Sequence, residues 1–393
     1  MLSTITDIRV VEDQHTSGAY AKRPLTIVRG EGCTLYDDTG RAYLDLGSGI
    51  GVALLGHGHP AVAQAVAQQA QTLITCPEAF YNDRRAELYA VLSGLLPAEM
   101  GRFFLCNSGT EAVEAALKIA RLLTGRRGIV SLKRGFHGRT LGALATTWNP
   151  QYREPFDGWV PESQFASAND LESAAALITE DTAAVFVEAV QGEGGIYPLD
   201  ADYLRGLRQL CTERGALLIA DEIQAGLGRT GRWFAFEHAE IVPDMVTLGK
   251  GMAGGLPMGA VAWRTSLGQI ESGVHGSTFG GNPLSCAAAI AALHALRELD
   301  APARSAELGA WLLGELRARR LPAVREVRGL GLMIGLELRG RVTPVLQALQ
   351  ARGIIAIPAG KTTLRLLPPL IITQEQLAQA LQALEEVVGA LHP

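Results

Sequence analysis

No two cysteines in the 393-residue chain are spaced Cys-x-x-Cys. The five present, Cys33, Cys76, Cys106, Cys211 and Cys286, are odd in number and scattered. That pattern argues against a disulfide framework and a zinc site, and it suits a reducing compartment, the cytoplasm. No stretch reaches the roughly 18 uninterrupted apolar residues of a membrane helix. Residues 1–14 carry acidic groups and no apolar run of signal-peptide length, so an unprocessed protein away from the membrane is expected. Excess positive charge is missing too: 35 Lys and Arg face 40 Asp and Glu, a net charge of −5. The molecule as a whole has no pull toward phosphate backbones, and nucleic acid is not expected as a partner. What is abundant is apolar, with 48% hydrophobic residues beside 45 glycines and 18 prolines. This is a globular composition, long enough for one large domain with a smaller one attached.

Short apolar runs at 102–106, 128–132, 183–190, 216–220, 245–248 and 259–263 read as buried strands. Helix-period segments lie between several of them, as at 111–123 and 202–214. Such alternation predicts an α/β domain, a mainly parallel sheet covered on both faces, over residues 46–281. Beyond Asn282 the pattern changes to a long Ala-rich helical region reaching about Arg320, then strand-like runs at 323–338 and 353–367. Thr373 and Gln376 then stand in capping-box spacing ahead of a helix with Leu377, Leu381, Leu384, Val388 and Leu391 on one face. Residues 282–393 therefore read as a smaller α+β domain, and 1–45 as a segment packing on it or on a partner subunit.

Three places can carry chemistry. Asn107-Ser108-Gly109-Thr110-Glu111 follows a strand and opens a helix, so free N–H groups, the helix dipole and two hydroxyls would face an anion such as phosphate. A capped helix without ligand explains the same residues. The run 216–220 ends in Asp221-Glu222, placing carboxylates at the strand end where open α/β sheets bind ligands. Lys250 stands in a glycine-rich loop, Gly249 to Gly255, after another apolar strand and 29 residues beyond Asp221. A lysine that loses its hydration there becomes an amine nucleophile and proton carrier, although an isolated loop lysine is more often a surface residue.

Two tempting patterns are set aside. Gly226-Leu227-Gly228-Arg229-Thr230-Gly231 matches the GxGxxG of nicotinamide-dependent dehydrogenases, but it neither follows its strand directly nor opens an amphipathic helix, and no ribose-binding acid follows. His57 and His59 could be imagined as metal ligands, yet no acid or cysteine accompanies them nearby, so no metal is expected and turn residues before a Pro-started helix are the better reading.

Taken together the pieces resemble the class III, ornithine-type aminotransferases of fold type I, over nearly the whole chain from about Gly18 to Leu391. The resemblance rests on Asn-Ser-Gly-Thr-Glu-Ala at 107–112, Gly-Phe-His-Gly-Arg-Thr at 135–140, Gln-Gly-Glu-Gly-Gly at 191–195, Asp-Glu-Ile-Gln at 221–224, Lys250, Ser-Thr-Phe-Gly-Gly-Asn-Pro at 277–283, and Arg365 ahead of Pro368-Pro369-Leu370. It implies pyridoxal 5′-phosphate as cofactor, with Lys250 as the Schiff-base lysine, Asp221 on the pyridine nitrogen and Gln224 near the ring hydroxyl. Ser108, Gly109, Thr110 and His137 would be further cofactor contacts, Phe136 would stack on the ring, and Thr278 would reach the phosphate from the partner of a homodimer. For substrate it implies Arg139 on a carboxylate, Ser277 nearby, and Arg365 as a second carboxylate site that Glu193 neutralises when the amino donor is bound and releases for glutamate. Val113, Ala189 and Ala225 depart from the residues frequent in the family, without touching the reacting groups.

Within the family the chain is similar to the acetylornithine branch and to relatives acting on lysine precursors attached to an amino-group carrier protein. Ser-Gly-Ala-Tyr at 17–20, Ile27-Val28-Arg29-Gly30 and the run from Arg328 to Leu338 point to the latter. Arg121, Arg126, Arg127, Lys133, Arg134 and Arg139 form a stretch without an acid that could greet an acidic carrier, or could be a solvated basic face. The implied reaction exchanges a terminal amino group with 2-oxoglutarate. Ornithine and 4-aminobutyrate stay open as donors, and a cofactor-binding regulator without turnover is the remaining alternative.

Overall fold

Seven strands make the central sheet of the computed structural model, which describes residues 7–389. Leu391 and the first six residues of the expected N-terminal segment lie outside the described residues. Ahead of that sheet come three short strands, β1 (Ile27–Glu31), β2 (Thr34–Asp37) and β3 (Ala42–Asp45). The sheet itself is built from β4 (Met100–Cys106), β5 (Gly128–Leu132), β6 (Gln164–Ala166) and β7 (Thr182–Val187). After a small pair, β8 (Val190–Gln191) and β9 (Tyr197–Pro198), it is completed by β10 (Leu217–Asp221), β11 (Met245–Leu248) and β12 (Gly259–Arg264). The order is β4-β12-β11-β10-β7-β5-β6. Only β12 runs against its neighbours, and the other pairings are parallel.

The expected α/β sheet is therefore present, and each of the six apolar runs overlaps one of its strands. The run 183–190 extends past its strand: the chain leaves the sheet after Val187, because the Glu188 carboxylate takes the N–H groups of Phe136 (2.9 Å) and Gly192 (3.1 Å). β6 went unread, since three residues carry no period.

The helix Gly109–Thr124 shows why the sequence folds this way. Ser108 caps it by accepting the Glu111 N–H, and Gly125 ends it in the left-handed region at φ 68°. The buried face, including Ala112, Ala115, Ala116, Leu117, Ile119 and Ala120, rests on the sheet. Four alanines let it approach closely, while Leu117 and Ile119 each contribute about 1.5–3 kcal/mol by burial.

The Ala-rich region is two helices, Pro283–Glu298 and Ala301–Ala318, broken at Asp300 with φ 48°. Each strand-like run folds back on itself. β13 (Val324–Leu330) and β14 (Met333–Leu338) turn at Gly331, and β15 (Ile354–Ile355), β16 (Ile357–Ala359) and β17 (Thr363–Leu366) share the second run. They form the sheet β13-β14-β17-β16, while β15 pairs in parallel with β3. In the last helix, Gln374–Gly389, the expected box closes both ways: Thr373 Oγ1 accepts the Gln376 N–H at 3.2 Å and Gln376 Oε1 accepts the Thr373 N–H at 3.0 Å. Among the described residues no helix is long and apolar enough to cross a membrane.

Gly309 sets the seat of helix Ala301–Ala318 on the β13–β14 turn, because a Cβ there would lie 2.1 Å from the Gly331 carbonyl oxygen. Gly309→Ala gains about 1 kcal/mol of helix propensity but forces backbone apart, which costs about 1–3 kcal/mol or more. Urea denaturation should show a net loss of stability; a gain would mean the turn does not press on the helix.

Candidate active site

Parallel pairing in the order β11-β10-β7 brings three neighbouring strands out at one edge of the sheet. Their ends deliver Lys250, Asp221 and Glu188. A cavity of about 250 Å³ opens there and gathers Gly109, Thr110, Phe136, His137, Arg139, Glu193, Asp221, Gln224 and Lys250 of the residues expected from the sequence. Gly138, Glu188 and Ile223 line it as well. Glu188 was missed, although a carboxylate ending an apolar strand is the same signal that singled out Asp221. Of the Asp221-Glu222 pair only Asp221 faces the cavity. Glu222 is turned away to accept the N–H groups of Ala235 (2.8 Å) and Phe236 (3.0 Å), and burial pushes its carboxyl up to about 8.

Lys250 opens a single turn of 3₁₀ helix at φ 44°, a left-handed conformation that a side-chain-bearing residue holds only when its surroundings impose it. Gly249 before it is pressed on the start of helix Gly109–Thr124: a Cβ on Gly249 would stand 3.1 Å from the Gly109 Cα. Burial moves the Lys250 amine below its ordinary value, against the opposing charges of Glu193 and Asp221, and the Arg365 cation adds to the lowering. An amine so placed spends more time neutral and nucleophilic.

Asp221 is 4% exposed and shared between two donors, His137 Nδ1 at 2.7 Å and the Ile223 N–H at 3.1 Å. Burial opposes the His137 charge, but the hydrogen bond and charge of Asp221, with Glu188 beyond, carry the imidazole above its usual range. Burial also pushes the Glu188 carboxyl up to about 7.

At the start of helix Gly109–Thr124, the Glu111 carboxylate does not return to the Ser108 N–H; it reaches one residue further and takes the N–H and side-chain amide of Asn107 (2.8 and 2.9 Å). Ser108 caps from behind and does not line the cavity, whereas Gly109 and Thr110 do. A Cβ on Gly109 would meet the Ile223 side chain at 2.9 Å, so only glycine keeps this cradle open. Thr110 Oγ1 lies 2.9 Å from Thr140 Oγ1.

At the mouth, the Arg139 guanidinium lies 3.7 Å over the Tyr152 ring and 5.5 Å from the centre of Phe136, and among the described residues it has no carboxylate partner. Deeper in, Arg365 on β17 is 3% exposed and donates to Glu193 at 2.5 Å and to the side-chain Oε1 of Gln224 at 3.0 Å. That pairing drives the Glu193 carboxyl below its usual range despite burial. Ser277 and Thr278 stand apart. Ser277 accepts from Asn107 Nδ2 at 3.2 Å and lines a larger cavity of about 840 Å³ beside the edge strand β4, while Thr278 is exposed and lines neither cavity. The larger cavity holds neither Lys250 nor Asp221, and the chemistry points to the smaller one.

The basic stretch is divided by β5. Arg126 is anchored on the Arg214 carbonyl (2.7 Å) and Arg121 on that of Arg127 (3.1 Å) at the amino end of the strand, whereas Lys133, Arg134 and Arg139 follow its carboxyl end, where the cavity opens. His57 is occupied with Asp45, 2.8 Å away, and Pro60 starts the helix that follows. Residues 222–234 contain no α-helix, so the Gly226–Gly231 motif does not build a dinucleotide site.

The description "aminotransferase class-III" matches residues 16–388. The chain is 46% identical over 386 residues to a LysW-aminoadipate semialdehyde transaminase of Deinococcus radiodurans, covering 97% of this chain and 90% of the relative. It is 44% identical over 387 residues to an acetylornithine aminotransferase of Methanopyrus kandleri, covering 98% and 99%. Among solved structures, the ornithine aminotransferase of Toxoplasma gondii ME49 superposes with a TM-score of 0.93 at 32% identity, over 98% of this chain and 95% of that one.

Proposed function

Because the chain belongs to the class-III aminotransferases, enzymes of pyridoxal 5′-phosphate, we propose that it moves a terminal amino group between a blocked diamino acid and 2-oxoglutarate. The products are a semialdehyde and glutamate, the setting is lysine or arginine biosynthesis, and the working form is a homodimer. The cavity residues suit the cofactor: a desolvated amine, a buried carboxylate already held by His137, and a glycine-opened helix start that a Cβ would fill. When bound, the cofactor supplies an aldehyde that joins to amines and a protonated ring that draws electrons from the neighbouring carbon.

The residues divide the remaining work. Lys250 would hold the cofactor by its aldehyde, and its freed amine would be the proton carrier beside the donor's nitrogen-bearing carbon. Asp221 would keep the ring nitrogen protonated, with His137 keeping Asp221 aimed. Gly109 and Thr110 would take the phosphate on the helix start, joined by Thr278 of the partner subunit, which would explain its distance from the cavity of its own chain. Phe136 would cover the ring, Gln224 would meet its hydroxyl, and Arg139 would take a substrate carboxylate in a bidentate grip.

The observation that carries this reading is that Glu193, which lines the Lys250 cavity, lies on Arg365 at 2.5 Å. Paired, the two present little net charge to a blocked donor; released, Arg365 offers a cation to the second carboxylate of 2-oxoglutarate or glutamate. A carrier-linked donor would approach across Lys133 and Arg134, and a free donor would not need them. Turnover with 2-oxoglutarate should be measured for N-acetylornithine and for a lysine-loaded carrier protein. One or both should serve well. Turnover of ornithine or 4-aminobutyrate alone would overturn the proposal.

A further inference from the structure

Arg229 is fully buried yet has no carboxylate within ion-pair distance among the described residues. Asp45 supplies the only charge that favours it, and burial prevails, pushing the guanidinium down to about 9. Nη1 donates to two main-chain carbonyls, Pro368 at 2.5 Å and Leu332 at 3.1 Å, while Nε and Nη2 have no partner. An apolar side chain of similar size would fill such a place at lower cost. The position of the two carbonyls says what the cation accomplishes.

Pro368 is three residues beyond Arg365, and Leu332 is in the turn that leads into β14, where Gly335 pairs with Arg365. The Arg229 guanidinium thus ties the segment that follows β17 to the turn that precedes its neighbour β14. Pro368 and Pro369 have no N–H; the flanking Leu367 and Leu370 donate to the Leu46 and Leu54 carbonyls (2.7 Å each), and the Pro368 carbonyl is held by Arg229. The loop that presents Arg229 is itself locked. Its carbonyl accepts from Ser305 Oγ (2.7 Å) and the Leu332 N–H (3.1 Å), and Gly228 and Gly231 are packed on Ala301 and Ala306. The same loop begins five residues earlier with Gln224, which receives Arg365 at 3.0 Å.

We propose that Arg229 is a positioning residue for Arg365, and that the glycine-rich motif around it is a socket setting how well the site grips the second carboxylate of a dicarboxylate. The inference rests on the reading of Arg365 given above. A single nitrogen, Nη1, meets both carbonyls, and the planar guanidinium on its long stem fixes where that nitrogen stands; a displacement of about 1 Å at a binding group is enough to lose up to ~10²-fold.

The test uses the holoenzyme and calorimetric titration with glutarate, which has two carboxylates and no reactive group, and with butyrate, which has one. Arg229→Met should weaken glutarate binding by about tenfold while butyrate changes by less than about threefold. Arg229→Lys, which keeps a cationic donor without the planar guanidinium that fixes its place, should fall between wild type and Met. Unchanged glutarate affinity in Arg229→Met, or equal losses for both ligands, overturns the proposal. Should the Met variant fail to fold, Ser305→Ala loosens the same loop with its charge intact: a smaller loss selective for glutarate supports the socket, and no loss defeats it. Arg365→Met separates the two readings. If it leaves glutarate affinity unchanged, the role of Arg365 fails; if it weakens glutarate while Arg229→Met does not, only the present inference fails.

Discussion

Replacing Lys250 by alanine is expected to remove amino-group exchange almost completely and to leave the fold in place. The stability side follows from how the neighbouring charges are partnered. The Lys250 amine donates no hydrogen bond among the described residues, Asp221 has His137, and Glu193 has Arg365, so deleting the amine strands no carboxylate. Alanine at φ 44° is no less strained than lysine, and the backbone cost is carried by both proteins. A change within about 1 kcal/mol follows, read as a near-constant urea midpoint. On the activity side, one residue gives up both the covalent attachment and the proton carrier. Positioned acid–base groups alone are worth ~10²–10⁴-fold, so turnover should fall by at least about 10⁴-fold. Borohydride reduction followed by intact-mass analysis should find the cofactor on wild-type Lys250 and no adduct on the variant. Activity within tenfold of wild type, or an adduct on another side chain, would refute the assignment.

How far the sequence could be read depended on whether a residue's partners are local. The ends of β5 and β11 were legible because an apolar run stops where a charged or glycine residue begins. The end of β7 was not, since what stops it is Glu188 reaching N–H groups about 50 positions back at Phe136 and four ahead at Gly192. The C-terminal strands merged into two runs for a similar reason: Gly331 and the residues between β15 and β17 turn the chain without breaking its hydrophobicity. In the site, Lys250 and Asp221 announced themselves through position at strand ends. The Glu193–Arg365 contact spans 172 residues, and only the resemblance to a family brought the two together beforehand. Arg229 shows the opposite case. Its glycines were conspicuous but suggested a nucleotide loop, whereas their use is to let main chain pack on Ala301 and Ala306.

The carboxylate of Asp221 is the other group whose loss should be severe. Asp221→Asn keeps the size and one acceptor oxygen, so Ile223 retains its partner and the strand end is undisturbed. What disappears is the negative charge that would hold a proton on the ring nitrogen, together with the charge that sustains His137. Removing one member of a buried charged pair costs about 3–5 kcal/mol, and kcat/KM should fall by roughly 10²–10³-fold. The protein without cofactor offers a check that does not depend on turnover. In the wild type the folded-state pKa of His137 is raised above that of the unfolded chain, near 6.5. Its contribution to stability is therefore fully present below about pH 6.5 and is lost as pH rises through the folded value. Asp221→Asn removes that contribution, so the wild type should exceed the variant in stability by more at pH 6 than at pH 9. Denaturation curves at the two pH values give the comparison. A difference that stays constant, or grows toward alkaline pH, would show that Asp221 and His137 do not share a proton-linked charge, and the account of how the acid is held in readiness for the ring would fall with it.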